Sequence, residues 1–251
     1  MDDYSLLIDL HKRNPRQGPG GDSDTQRAIG LTNLAPSVSL KIADIGCGTG
    51  ASALELAKSL GAEVTAVDFL PEFLAELRRR AEARGLSGRI FPLQCSMDNL
   101  PFGEEEYDVI WAEGAIYNMG FENGAAYWKQ FLKPGGLLVV SEITWLTGSR
   151  PAEIQQYWDA QYPEIGCASA KFAVLERSGY SPVAYFTLPE SSWLETYYRP
   201  LQKSFPEFLA RHENSDEAKA IVRAEQSEIA LYERYKSYYG YGVYIARKLA
   251  G

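Results

Sequence analysis

Asp44-Ile45-Gly46-Cys47-Gly48-Thr49-Gly50 stands between two stretches of different periodicity, and its reading decides the fold. Before it, Lys41-Ile42-Ala43 reads as a buried strand entering a turn. After it, Ala53, Leu54, Ala57 and Leu60 fall at helical spacing, and Ser52 with Glu55 has the form of a capping box. Strand, glycine turn and helix together make the first unit of a nucleotide-binding α/β sheet. Glycines let the backbone take φ values barred to other residues and pass close to a ligand. The helix N-terminus offers its free N–H groups to the same ligand. A glycine motif alone also describes a tight turn; its place between strand and helix gives it weight.

Working outward, strands and helices alternate. Glu63–Asp68 is a second strand ending in a carboxylate. A helix starts at Pro71, carries Arg78, Arg79, Arg80 and Arg84 at its far end, and stops at Gly85. Residues 89–95 and 107–112 are strands three and four. A helix over about 122–132 stops at Lys133-Pro134-Gly135-Gly136, and 137–141 is strand five. This alternation means a parallel sheet covered on both faces. Downstream come helices from Pro151 and over 170–178, a strand over 180–188, a mostly helical stretch over 189–239 and a last strand over 241–246. Upstream, Leu6-Leu7-Ile8 opens a short helix. The Pro- and Gly-rich run from His11 to Gly21 is either a loose lead-in or a loop folding over a ligand. Ser23 with Gln26 reads as the capping box of a helix reaching Leu34.

The expected architecture is one α/β domain over 1–251, with a doubly wound, Rossmann-like, seven-stranded sheet. The sheet is mostly parallel, with one antiparallel strand near the edge. Residues 1–21 form a lid segment, 38–145 the cofactor-binding core, 146–169 and 189–239 a helical cap, and 180–188 with 241–246 the terminal strands.

At 251 residues and 45% hydrophobic content the chain can bury a substantial core. Its formal charge of −8 argues against a nucleic-acid partner, which requires clustered Lys and Arg. Cys47, Cys95 and Cys167 are far apart and odd in number, which favours neither a disulfide framework nor a metal site. A reducing, cytoplasmic setting follows. No apolar run reaches the length of a membrane span, and the acidic start at Met1-Asp2-Asp3-Tyr4 is unlike a signal peptide. Oligomeric state is not legible in these features.

Asp68, 18 positions beyond Gly50, falls at the end of the second strand. There it either accepts hydrogen bonds from the hydroxyls of a ribose or caps the helix at Pro71, and the glycine turn upstream favours ribose. Gly46-x-Gly48-x-x-Ala51 also fits a dinucleotide fingerprint.

Five blocks in order decide against a dinucleotide. They are Asp44 to Gly50, Val67-Asp68-Phe69, Ser96-Met97-Asp98-Asn99-Leu100-Pro101-Phe102, Tyr107-Asp108-Val109-Ile110, and Leu132-Lys133-Pro134-Gly135-Gly136 running into Leu137-Leu138-Val139-Val140. This set resembles the class I S-adenosylmethionine-dependent methyltransferases. It is most similar to the small-molecule branch that includes the ubiquinone-biosynthesis methyltransferases (methyltransferase domain 11 type). The resemblance covers about residues 38–145 well and the last two strands loosely.

The resemblance implies S-adenosyl-L-methionine as cofactor and a small molecule as methyl acceptor. It places Gly46, Cys47, Gly48 and Gly50 under the methionine part, braced by Asp44. Asp68 would hold the ribose and Phe69 the adenine face. The family's acidic residue for the adenine amino group falls here to Ser96, Met97 or Asp98. Ala112 and Glu113, ending strand four, would face the methionine, with Gln17 supplied by the N-terminal loop. For the acceptor, Glu113, Tyr117, Glu142 and His11 are candidates for proton handling, and Tyr117, Glu142 and Trp145 for contact. Carboxylates beside aromatic rings favour an acceptor carrying a hydroxyl or an amine. The rivals are a nicotinamide-dependent oxidoreductase, for which the later half offers no supporting Tyr-x-x-x-Lys arrangement, and a non-catalytic sensor of the cofactor.

Overall fold

Leu137, Leu138, Val139 and Val140 form an unbroken apolar run, and their alternation sends them to opposite sides of a sheet. Leu137 and Val139 join one buried cluster, Leu138 and Val140 another. A strand buried on both faces has this signature. The structure, a computed structural model, describes residues 3–249; Met1 and Asp2 of the acidic start lie outside them.

Two helices come first, α1 (Asp3–His11) and α2 (Asp22–Thr32). The alternating part is β1 (Lys41–Ile45), α3 (Ala51–Leu60), β2 (Glu63–Asp68), α4 (Pro71–Ala83), β3 (Ile90–Gln94), β4 (Tyr107–Glu113), α5 (Phe121–Trp128) and β5 (Leu132–Trp145). Then follow α6 (Ala152–Gln161), β6 (Gly166–Cys167), α7 (Ala168–Arg177), β7 (Tyr180–Thr187), α8 (Glu190–Trp193), α9 (Arg199–Arg211), α10 (Asp216–Tyr235) and β8 (Tyr239–Lys248).

The sheet order is β3-β2-β1-β4-β5-β8-β7, with β6 attached to the end of β5. From β3 to β5 all neighbours are parallel, and β8 runs antiparallel to both β5 and β7. The sheet is therefore doubly wound and mainly parallel, with its antiparallel strand one place in from the edge. It has eight strands where seven were expected, because Gly166 and Cys167 pair with Thr144 and Trp145. The strand order reverses between β1 and β4, which is where open α/β sheets bind ligands. A third apolar cluster sits at the carboxyl end of β5, joining Ile143 and Trp145 to α1, α8, α9 and α10.

Three local expectations are corrected. Ser52 and Glu55 form no capping box: Gly50 itself is the N-cap of α3. Ser52 Oγ instead donates to Asp44 Oδ2 at 2.7 Å, and Glu55 Oε1 accepts from Gln26 Nε2 at 2.9 Å. That second bond also removes the Ser23–Gln26 box, since Gly21 is the N-cap of α2 and has no side-chain cap bond. Lys133 to Gly136 do not end an element. β5 runs through them as a bulge, its register against β4 shifting between Tyr107 and Val109.

Candidate functional site

β1 and β2 end side by side, Ile45 opposite Val67, and the chain leaves β1 through the glycine turn. Gly46 and Cys47 donate their N–H groups to Val67 O, both at 2.9 Å. Asp68 ties the turn down further. Its Oδ2 accepts from Gly48 N and its Oδ1 from Leu70 N, each at 2.9 Å, and burial raises its pKa. Asp68 therefore braces the turn and opens the loop to α4, whose N-cap is Leu70 without a side-chain cap bond. Gly50 has φ 85°, and a Cβ there would overlap Leu77 Cδ1 of α4. Gly48 has φ 55°, and a Cβ there would lie 2.5 Å from Gln17 Oε1. Only glycine serves both the turn and these close approaches.

Behind the turn, Asp44 is fully buried. Its Oδ2 is bonded to Ser52 and its Oδ1 has no partner, and burial pushes its carboxyl up to about 7. Cys47 is buried under the turn, and burial holds its thiol well above the usual range. Phe69 is 64% exposed just beyond β2. Ser96 and Met97 are half-buried and Asp98 exposed in the turn after β3; Met97 O accepts from Trp128 Nε1 at 3.0 Å.

The N-terminal segment lies over this turn and is not a loose lead-in. Gln17 Oε1 accepts from Thr49 N at 2.8 Å and from Thr49 Oγ1 at 3.0 Å. Arg80 holds Asn14 O and Pro15 O, and Gly20 N donates to Ser192 O at 3.0 Å. The strongest tie is buried. Arg16 Nη1 donates to Glu113 Oε2 at 2.6 Å, while Thr25 Oγ1 and Trp111 Nε1 donate to Glu113 Oε1 at 2.8 and 3.0 Å. Both oxygens of Glu113 are therefore engaged, one by a cation. Glu113 thus ties the N-terminal segment to the end of β4. Ala112 is fully buried in the cluster on the α5 side of the sheet, so its methyl group does not face the turn.

Beyond Gly114 an aromatic cavity of about 350 Å³ opens. Its walls come from distant parts of the chain: Tyr117 after β4, Trp158 and Tyr162 at α6, Tyr197 after α8, Glu228 on α10 and Tyr241 on β8. Leu194–Tyr198 is a π-turn linking α8 to α9, a local distortion of the kind that often marks ligand sites. A smaller cleft of about 90 Å³ lies over the glycine turn. The two spaces share Gln17, Gly18, Pro19 and Gly114. A further concavity, about 800 Å³, is an open groove on the outer side of the N-terminal segment, lined by Arg13, Arg79 and Arg80 among others. It is open to solvent and touches neither the glycine turn nor the rings.

Of the residues expected to meet an acceptor, Tyr117 and Gln17 line the cavity. Glu142, His11 and Trp145 do not. Glu142 is fully buried behind the wall; its Oε2 accepts from Tyr162 Oη at 3.3 Å, its Oε1 has no partner, and burial pushes it up to about 7. His11 Nε2 is paired with Glu225 Oε1 at 3.1 Å. Trp145 packs edge-on to Tyr239 under Arg150, as part of the third cluster. Glu228, Tyr239 and Tyr241 line the cavity and were not singled out from the sequence. The available signal for Glu228 was its neighbour Glu225, which interrupts the apolar stripe Val222, Ile229, Tyr232 of α10 with a carboxylate.

One expectation is corrected: the later half does contain the Tyr-x-x-x-Lys spacing of a nicotinamide enzyme, at Tyr232/Lys236 and Tyr244/Lys248. Neither pair meets at the cleft. Tyr232 stacks on Trp193 at 4.3 Å while Lys236 pairs with Glu190, and Tyr244 bonds Thr144 while Lys248 holds Leu132 O. Among the described residues no helix is long and apolar enough to cross a membrane.

Residues 42–136 match the family model described as Methyltransferase domain. The demethylmenaquinone methyltransferase of Thermus thermophilus is 41% identical over 126 residues, which is 47% of this chain and 53% of that protein. The chain spans about half the length of the curated relatives it matches at this level. Two solved structures share the fold across nearly the whole chain. YjhP of Escherichia coli has TM-score 0.85 at 21% identity, covering 98% of this chain and 99% of that one. A methyltransferase of Geobacter sulfurreducens, in complex with S-adenosyl-L-homocysteine, has TM-score 0.83 at 19% identity, covering 97% and 96%.

Proposed function

We propose that this chain, whose residues 42–136 match a methyltransferase-domain model, is a class I S-adenosylmethionine-dependent methyltransferase that moves a methyl group from S-adenosyl-L-methionine to a small-molecule acceptor. One observation carries the reading: the cleft over the glycine turn and the enclosed aromatic cavity meet at Gly114 and the Gln17-Gly18-Pro19 stretch. A donor on one side of that threshold would face an acceptor on the other. The named substrate of the Thermus relative, an organic small molecule, agrees with such an acceptor.

The residues present fit the donor. Asp44 Oδ1 is buried without a partner and suits a cationic amine. Each oxygen of Asp68 accepts one bond and retains a lone pair for a ribose hydroxyl. The exposed ring of Phe69 suits an adenine face, with Ser96, Met97 and Asp98 following the neighbouring strand. When bound, the donor supplies a methyl group activated on a positively charged sulfur. The protein's part is to align the acceptor and exclude water, and proximity and orientation carry most of the rate. For an acceptor that must lose a proton, Tyr162 Oη can take it while passing its own to Glu142 Oε2. We read the chain as one domain in which the N-terminal segment and the helices after β5 close the site, working in a reducing cytoplasm that keeps Cys47, Cys95 and Cys167 free.

Equilibrium titration tests the donor: S-adenosyl-L-homocysteine should bind far better than NAD. A screen of small amines, phenols, thiols and quinone precursors for S-adenosyl-L-homocysteine release tests the transfer. Preference for NAD would overturn the donor assignment. Tight donor binding without turnover on any class would favour the sensor.

A further inference from the structure

The aromatic cavity has a charge pattern that the transfer reading does not use. Nine of its sixteen lining residues are Tyr or Trp, and Glu228 is the one carboxylate among them. The lining holds no Lys, Arg or His. Glu228 is accessible, yet the protein around it is close enough that burial raises its carboxyl pKa, with Glu225 adding to the effect. Its contact among the described residues is the Tyr198 hydroxyl, which donates to Oε1 at 2.9 Å. Among the described residues no cation forms an ion pair with it, and the basic group acting on it is His11. The nearby basic groups are committed elsewhere: His11 to Glu225 at 3.1 Å, and Lys171 over the rings of Phe121 and Tyr162.

We propose that this cavity binds a compact organic cation, an amine or ammonium group, with Glu228 as its counter-charge and Tyr117, Tyr197 and Tyr241 among the rings around it. The proposal rests on the methyltransferase reading for its biological meaning, since the cation would be the acceptor or the methylated product. Three physical arguments support it. A carboxylate at the wall of a ring-lined cavity, bonded among the described residues only to the Tyr198 hydroxyl, offers a counter-charge to a cationic ligand. Aromatic faces attract cations, most strongly where water is excluded. A phosphate- or carboxylate-bearing acceptor would meet a carboxylate and find no cation in the wall. Size sets the class further. A volume of about 350 Å³ holds on the order of a dozen non-hydrogen atoms, at roughly 30 Å³ for each water-sized group.

The test is equilibrium titration of the full chain, followed by the fluorescence of Trp158 and Trp193, with three probes of one shape. Choline carries the cation, 3,3-dimethylbutan-1-ol is its neutral isostere, and 3,3-dimethylbutanoate carries an anion. Each is titrated with and without S-adenosyl-L-homocysteine. Choline should bind about tenfold or more tighter than the neutral isostere, and the anion weakest. Glu228→Gln should abolish that preference while leaving S-adenosyl-L-homocysteine affinity unchanged. Equal binding of choline and the alcohol, tighter binding of the anion, no binding of choline, or a preference that survives in Glu228→Gln would each overturn the proposal. Failure of S-adenosyl-L-homocysteine to bind would overturn the methyltransferase reading instead, and the choline preference would still be measured without it.

Discussion

Glu113→Gln distinguishes a brace from a base. Gln keeps an oxygen for Thr25 and Trp111 but turns an amide toward Arg16, which then retains one carboxylate, Asp22, and the Thr25 hydroxyl, each at 3.2 Å. Arg16 is 8% exposed and Glu113 20%, whereas Asp22 is 64% exposed and a weak substitute. Breaking a buried pair from one side costs about 3–5 kcal/mol, and the partial exposure of Glu113 puts this case near the lower end. The loss should appear as opening of residues 12–21 and not as global unfolding, because neither sheet cluster depends on the pair. About 3 kcal/mol is a factor on the order of 100 in the open population. Hydrogen exchange read by mass spectrometry over peptides spanning 12–25 should show that increase. Affinity for S-adenosyl-L-homocysteine should fall with it, since Gln17 leaves the glycine turn. In the double variant Arg16→Gln/Glu113→Gln the stranded charge is gone, and protection should largely return. Unchanged exchange in Glu113→Gln together with abolished turnover would refute the brace and restore the base.

Three further outcomes are expected. Asp68→Ala should weaken S-adenosyl-L-homocysteine binding at least about tenfold and lower the urea midpoint, because the N–H groups of Gly48 and Leu70 each lose a partner at about 1–3 kcal/mol; exposed Asp98→Ala should leave the midpoint in place, and equal midpoints in the two variants would contradict the bracing role. Gly50→Ala should destabilise by about 2–4 kcal/mol in urea unfolding, through a left-handed φ and overlap with Leu77, and an unchanged midpoint would show that α4 yields freely. Glu142 ionises near 4.5 unfolded and near 7 folded, so folding holds its proton more tightly; its contribution, about 3 kcal/mol, is full below about pH 4.5 and gone once pH has risen past about 7. Stability of the wild type relative to Glu142→Gln should therefore fall between pH 5 and 8, and parallel profiles would contradict the burial of that carboxyl.

The parallel core was legible because its strands are apolar on both faces, so each stands out without knowledge of its partners. Helix starts were less so. Ser52 and Glu55 have capping-box spacing, but the glycine turn runs directly into α3 and frees Ser52 for Asp44. The reach of β5 was hidden for a different reason. Lys133 to Gly136 read locally as a stop, and only pairing with β4 and, beyond the bulge, with β8 makes that stretch part of a strand. The extra strand β6 is two residues long and exists because the end of β5 offers a free edge. In each case a contact from elsewhere in the chain overrode a local signal.

The site divides along the same line. The glycine turn and Asp68 lie within one βαβ unit, so spacing alone brings them together. The aromatic cavity draws on the N-terminal segment, α6, the π-turn, α10 and β8, and no local pattern predicts that convergence. Position at the carboxyl edge was the reason for naming Glu113 and Glu142, and position does not assign a role; the partners do. Glu113 meets Arg16 and becomes a tie. Glu142 meets one phenol and keeps a buried oxygen without a partner, which suits it to hold a proton. Glu228 faces open space among rings with no cation beside it, which suits it to hold a ligand's charge. The same functional group thus stands in three different settings, and what separates them is whether a cation, a hydroxyl or a cavity stands beside it.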